Sequence, residues 1–294
     1  MITLKNQYLS VLINEFGAEL TSVQGLDEAH IEYIWQADPN YWKRHAPILF
    51  PIVGRLKDNQ YQYLGQTYSM TQHGFARDNF FDVQAQSDTA VELALTATDE
   101  TFQHYPFKFR LTVSYELVDH ELKVRLSVVN PSDERNLLFS LGAHPGFNVP
   151  LIPGKGTFKD AFVRVAPKKD YPRIPLKPPY SDPNDVKTMD FTQPLSLRHK
   201  LFENDALVLS LNHQETTVML ASTANDHGVA LTTLNAPYVG IWSPYPKKAP
   251  FVCIEPWWGI ADTVDSDGQL ADKLAINTLA PQKTFDAGYN ISFF

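Results

Sequence analysis

The sequence predicts an all-β fold of the large sandwich or barrel kind, on three observations. Side chains alternate between apolar and polar, strand-like runs recur along the whole chain, and no helical period is sustained over twelve or more residues. The alternation is clearest from Phe107 to Leu117, where every odd position is apolar and every even one polar. A pleated strand sends those two sets to opposite faces. Val118-Asp119-His120-Glu121 interrupts the pattern, and Leu122, Val124, Leu126 and Val128 resume it, which reads as a long hairpin. Shorter runs lie at Leu9 to Ile13, Val91 to Leu95, Phe162 to Val165, Leu207 to Leu211, Thr217 to Leu220, Val229 to Leu234 and Phe251 to Ile254. Turn-forming segments such as Asn130-Pro131-Ser132-Asp133 and Asp265-Ser266-Asp267-Gly268 separate them. Short helices are expected only near Asn40 to Lys43 and Asp99 to His104, and the 21 prolines would sit badly in a helical protein. The proline-rich stretch from Pro167 to Pro183 divides similar strand patterns and is read as a surface excursion, so one domain is expected over residues 1–294.

Composition narrows the function classes. The net charge of -8 carries no basic stripe, which argues against nucleic-acid binding. Cys253 is the only cysteine, so no intramolecular disulfide can form, in keeping with a reducing compartment. With no apolar run of membrane length and no signal-peptide pattern, the expected location is cytoplasmic, without membrane partners.

Four places set titratable residues among apolar or Gly/Pro-rich neighbours, where a charge is costly unless used. Arg55 closes the apolar stretch from Pro47 to Gly54; it is either a surface residue after a buried strand or a fork gripping ligand hydroxyls. His73 stands beside Gly74, whose bare backbone admits a ligand, although a lone histidine is commonly structural. His144 lies among small residues in Gly142-Ala143-His144-Pro145-Gly146, a turn that aims a side chain from a strand end into a cavity. Glu255 follows the apolar Phe251 to Ile254, so partial desolvation should lift its pKa toward the range of a base. Trp257 and Trp258 beside it offer flat faces to a sugar, or are core residues around a salt-bridged glutamate.

Taken in order, these segments resemble the aldose 1-epimerase (galactose mutarotase) superfamily, and more closely its LacX-like branch. The likeness runs from Phe16-Gly-Ala-Glu-Leu20 through Pro47 to Arg55, His73 to Arg77, His144 to Asn148 and Asp205 to Leu209, to Ile254 to Gly259. It implies a large curved β-sandwich with a small-molecule sugar bound in a cleft on one sheet. By the same resemblance Glu255 is the general base, His144 the general acid and His73 a second histidine on the reacting oxygens. Arg55 and Asp205 would hold sugar hydroxyls. Arg77 matches an arginine that meets a phosphate in the hexose-6-phosphate branch; otherwise it is expected to pair with Asp78 or Glu100. The implied reaction exchanges α and β anomers by ring opening, with Glu255 and His144 facing each other across a hexose-sized gap. Proton transfer alone accomplishes this, so no metal and no cofactor is expected.

Three other readings compete. A sugar-binding protein without turnover would use the same cleft. A two-histidine, one-carboxylate iron site of the cupin kind is disfavoured, because no His-x-His occurs. A glycosidase or lyase would ordinarily need a second carboxylate flanking the bond.

Overall fold

The computed structural model describes all 294 residues, and antiparallel strands dominate it. One sheet has nine strands. In spatial order they are Leu195–Ser196, Ala161–Ala166, Thr216–Ser222, Gly228–Thr233, Thr284–Phe293, Glu121–Val129, Arg110–Val118, Ala90–Thr96 and Asp82–Gln86. A second sheet has eight strands. Seven run in the order Lys187–Asp190, Asp170–Ile174, Leu207–Ser210, Tyr238–Trp242, Phe251–Trp258, Leu141–Ala143 and Ile48–Leu49, and Gly146–Asn148 also pairs with Phe251–Trp258. A three-stranded sheet near the N-terminus, Ile2–Lys5, Leu9–Asn14 and Glu19–Gly25, packs on the same core. That core is a cluster of 69 buried apolar residues reaching from Ile2 to Phe293. No helix is long and apolar enough to cross a membrane.

The alternating hairpin pairs Arg110–Val118 with Glu121–Val129, setting Leu117 against Leu122 and Val113 against Leu126. The apolar set is buried and the polar set is not. Ladder pairing starts at Arg110; Phe107 and Phe109 precede the strand but are buried in the core. The expected helix at Asp99–His104 is present, capped by Thr98 and Thr101 exchanging side-chain and backbone hydrogen bonds.

Three expectations are corrected. Asn40 to Lys43 forms a turn, because Asp38 accepts from the backbone N–H groups of Asn40, Tyr41 and Trp42 and closes the segment after one loop. The stretch from Pro167 to Pro183 is no mere excursion: Asp170–Ile174 joins the eight-stranded sheet, and the following hairpin of Leu176–Lys177 and Tyr180–Ser181 carries Pro178-Pro179 at its tip. Finally, Glu255 does not follow its strand but lies inside it, since Phe251–Trp258 runs through Pro256. Proline is tolerated there because Pro256 falls between the stretches paired with Gly146–Asn148 and Leu141–Ala143, although the Ile254 N–H still donates to the Pro145 carbonyl at 3.2 Å.

Strand Phe251–Trp258 is buried along its whole length, which explains its unbroken apolar look. Val252, Ile254 and Trp258 enter the main core. Phe251, Cys253, Glu255 and Trp257 alternate with them and point to the opposite face of the sheet, where two smaller apolar clusters lie.

Candidate active site

On that opposite face a cleft of about 480 Å³ opens, within the size range of small-molecule sites. All seven residues singled out from the sequence line it: Arg55, His73, Arg77, His144, Asp205, Glu255 and Trp257.

Sheet register brings Glu255 and His144 together. Leu141–Ala143 sets Gly142 against Trp257, and Gly146–Asn148 sets Gly146 against Cys253. Both pairings belong to one continuous antiparallel register, so the two-residue break between them places His144 directly across from Glu255. Nε2 of His144 lies 3.0 Å from Oε2 of Glu255, a close contact whose angles are not those of a hydrogen bond. Sequence reasoning expected the two to face each other across a gap, whereas they touch. The backbone N–H of His144 donates to the Pro47 carbonyl at 3.1 Å, which anchors the break.

The surroundings suppress charge on both groups. Burial raises the Glu255 carboxyl well above the usual range, and the negative Asp205 adds to the effect. The indole of Trp257 opposes it only in part, and its N–H is not aligned for a hydrogen bond. Burial lowers His144 to about 3, with the positive Arg77 acting in the same direction. The His144 ring is stacked on Trp42 at 4.8 Å and meets Trp242 edge-on at 5.5 Å.

His73 is held by local backbone geometry. His73 and Gly74 take positive φ values of 68° and 70° in succession. A Cβ at Gly74 would stand 2.3 Å from the Phe50 carbonyl oxygen, so only glycine fits. The Gly54 N–H donates to Nδ1 of His73 at 3.1 Å, which leaves the ring proton on Nε2. Burial pushes the pKa of His73 well down, helped by His144, Arg77 and Arg55, so the imidazole is neutral. Its ring centre lies 5.4 Å from that of His144.

The charged rim is organised by Gln72. Nη2 of Arg55 donates to Oε1 of Gln72 at 3.1 Å, and Nη2 of Arg77 donates to the Gln72 carbonyl at 2.6 Å. Of the two ion pairs expected for Arg77, that with Asp78 is loose at 3.8 Å, and Glu100 makes none. Arg44 holds Asp78 more tightly, at 2.5 Å, leaving the Arg77 charge turned to the cleft. Asp205, at φ 70°, accepts from the Ala206 N–H at 2.9 Å. Burial raises its pKa, while hydrogen bonding and the Arg55 charge oppose the rise.

Trp257 is slotted between two glycines. A Cβ on either Gly142 or Gly240 would come within 2.9 Å of its indole. Gln72, Trp42 and Trp242 belong to the site but carried no role in the sequence reading. Gln72 adjoins His73, which was the one available signal.

Both oxygens of Glu255, Nδ1 of His144, Nε1 of Trp257 and Nε of Arg55 and Arg77 are buried without an internal hydrogen-bond partner. Each such group costs about 1–3 kcal/mol if left unpaired. Their convergence on one cleft fits a ligand rich in hydroxyl groups.

Comparison with known proteins agrees with this geometry. The family model described as aldose 1-epimerase matches residues 1–271. The plasmid and chromosomal forms of protein LacX from Lactococcus lactis subsp. lactis are each 30% identical over 300 residues, covering 99% of this chain and 98% of theirs. A galactose mutarotase related enzyme from Lactobacillus acidophilus superposes with a TM-score of 0.97 at 42% identity, over 100% of this chain and 97% of that one. A galactose mutarotase-like protein from Lactobacillus casei gives 0.91 at 35% identity, over 100% of both chains. The chain therefore belongs to the aldose 1-epimerase superfamily, in its LacX-like branch.

Proposed function

We propose that the protein is a mutarotase that interconverts the α and β anomers of an aldohexose, free or phosphorylated at C6, with Glu255 and His144 as its proton-transfer pair. The observation that carries this reading is the 3.0 Å contact between those two side chains at the base of the cleft. Ring opening needs one proton removed from the C1 hydroxyl and one delivered to the ring oxygen. Those oxygens are bonded to the same carbon, so the two groups serving them need to be neighbours rather than opposite walls. Side-by-side placement thus suits the chemistry better than the gap expected from sequence.

The pair works with one mobile proton. Burial favours the proton on Glu255, beside a neutral His144. A small rotation aligns the two groups, and transfer of the proton to His144 then gives a carboxylate and an imidazolium without changing the net charge of the pair. From that state Glu255 takes the C1 hydroxyl proton, His144 protonates the ring oxygen, and the C1–O bond to the ring breaks. Rotation about C1–C2 in the open aldehyde presents its other face. Closure then reverses both transfers.

His73 donates its Nε2–H toward the reacting oxygens. Arg55, Asp205 and the Trp257 indole hold the ring in place, which matters because misplacement costs rate steeply. Arg77 reaches the same cleft as a cation free to meet a phosphate or distal hydroxyls.

Polarimetry on freshly dissolved α-glucose, α-galactose and their 6-phosphates tests the reading. Equilibration faster than in buffer alone is expected for at least one. Binding of these sugars without any acceleration would leave a sugar-binding protein and defeat the mutarotase.

A further inference from the structure

Cys253 precedes Glu255 by two residues on the same face of strand Phe251–Trp258, beneath Trp42 and Trp242. No acid–base step uses its thiol. Yet the ligand atoms of His144, Cys253 and Glu255 all lie within 4.8 Å of one another. The three residues are buried, at 7%, 0% and 1% exposure. Neither Glu255 oxygen has a hydrogen-bond partner.

We propose that His144, Cys253 and Glu255 form a capture site for a thiophilic divalent cation, zinc by its donor set, and that the bound ion switches off the proton-transfer pair. The binding half stands on the cluster itself, and the inhibition half rests on the mutarotase reading.

One imidazole nitrogen, one thiolate and one carboxylate make a mixed soft and borderline set of the kind zinc favours. Tetrahedral zinc, with bonds of about 2.0–2.3 Å, holds its ligands roughly 3.3–3.6 Å apart, so side-chain rotation on the order of 1 Å completes the site. On binding the ion a thiol and a carboxyl each give up a proton to the solvent, so capture weakens as pH falls. The complex of a dication with two anions is neutral, which lowers the cost of keeping it buried. Both lone pairs needed for proton transfer are then committed to the ion.

Cobalt(II) added to the purified full-length protein gives a spectroscopic test that does not depend on activity. At about one equivalent, a near-ultraviolet thiolate-to-cobalt charge-transfer band is expected, bleached by zinc and absent in Cys253→Ser and Cys253→Ala. Zinc should inhibit mutarotation, a chelator should restore it, and both variants should keep the basal rate. Half-inhibition of either variant should need at least about tenfold more zinc, the low end of what losing even an outer-sphere partner costs. Cobalt binding without a thiolate band, or equal zinc sensitivity in a folded Cys253 variant, would overturn the site. A wild-type protein that shows the cobalt band but no mutarotation would refute the catalytic reading and the inhibition while leaving the metal site standing.

Discussion

Asp262 and Lys273 form an ion pair sealed inside the protein behind the cleft, with Nζ of Lys273 3.7 Å from Oδ1 of Asp262 and both side chains at most 4% exposed. Lys273 also donates to the Ile260 carbonyl. Asp262 binds several segments that shape the site. Its carboxylate accepts from the Lys57 N–H at 2.9 Å and the Ser266 hydroxyl at 3.2 Å. Its backbone N–H donates to the Arg55 carbonyl at 3.0 Å, and its carbonyl accepts from the Ser181 N–H at 2.8 Å. Lys273→Met leaves a buried carboxylate without its cation, and a loss of about 3–5 kcal/mol is expected. Urea unfolding curves measure it; an unchanged midpoint would show that the pair contributes nothing.

Glu255→Gln should lower the catalysed mutarotation rate by roughly 10²–10⁴-fold while the fold persists. Stability should hold or rise. The folded pKa of Glu255 lies above its unfolded value, so the stability this gives is full below the unfolded value and is lost as pH rises through the folded one. An amide escapes that loss. Polarimetry and thermal melts at neutral pH check both parts, and near wild-type turnover would remove Glu255 from the mechanism.

The two buried histidines should make the protein acid-sensitive. His144, lowered to about 3, and His73, also well down, bind fewer protons folded than unfolded. Their stability is full above the unfolded histidine value of about 6.5 and falls as pH drops toward the folded values. His144→Gln should flatten this acid limb. Glu255 runs the other way, so Glu255→Gln should steepen it. Unfolding free energies at several pH values between about 7 and 4 distinguish the slopes, and parallel curves for all three proteins would refute the assignment.

Gly240→Ala puts a methyl group 2.9 Å from the Trp257 indole and forces the ring off its seat. Glu255 lies directly across from Gly240 in the ladder. A fall in kcat/KM of about 10- to 100-fold is expected, together with a loss of about 1–3 kcal/mol of stability from overpacking. An unaffected kcat/KM would mean that the indole does not position the sugar.

Arg77→Met should cost more on a hexose 6-phosphate than on the free hexose. A charge-assisted hydrogen bond is worth about 1.5–3 kcal/mol, or roughly ten- to a hundredfold in kcat/KM. Parallel kinetics on both substrates measure the difference. Equal losses would assign the guanidinium to sugar hydroxyls instead.

Much of this was legible in the sequence because local patterning carries it. The period-two alternation from Leu111 to Val128 gave the hairpin, and the titratable residues set among apolar neighbours gave Arg55, His73, His144 and Glu255. What stayed hidden depends on pairing between distant segments. The facing of His144 and Glu255 needs the register on both sides of a strand break, which no local pattern encodes. Trp42 and Trp242 reach His144 from opposite ends of the chain. The strand was read only as far as Ile254, because a carboxylate inside a fully buried strand breaks the apolar pattern that marks one.

The Pro178-Pro179 hairpin tip overhangs the cleft from a segment that supplies none of the reacting groups, whereas Glu255 stands in the middle of a strand buried on both faces. The cleft is thereby walled by parts of unequal rigidity, a hairpin of two-residue strands on one side and a central strand on the other. An insertion or deletion at the hairpin tip would reshape the mouth of the cleft without disturbing the strand that holds Glu255, since a loop tip tolerates length changes that a buried strand does not.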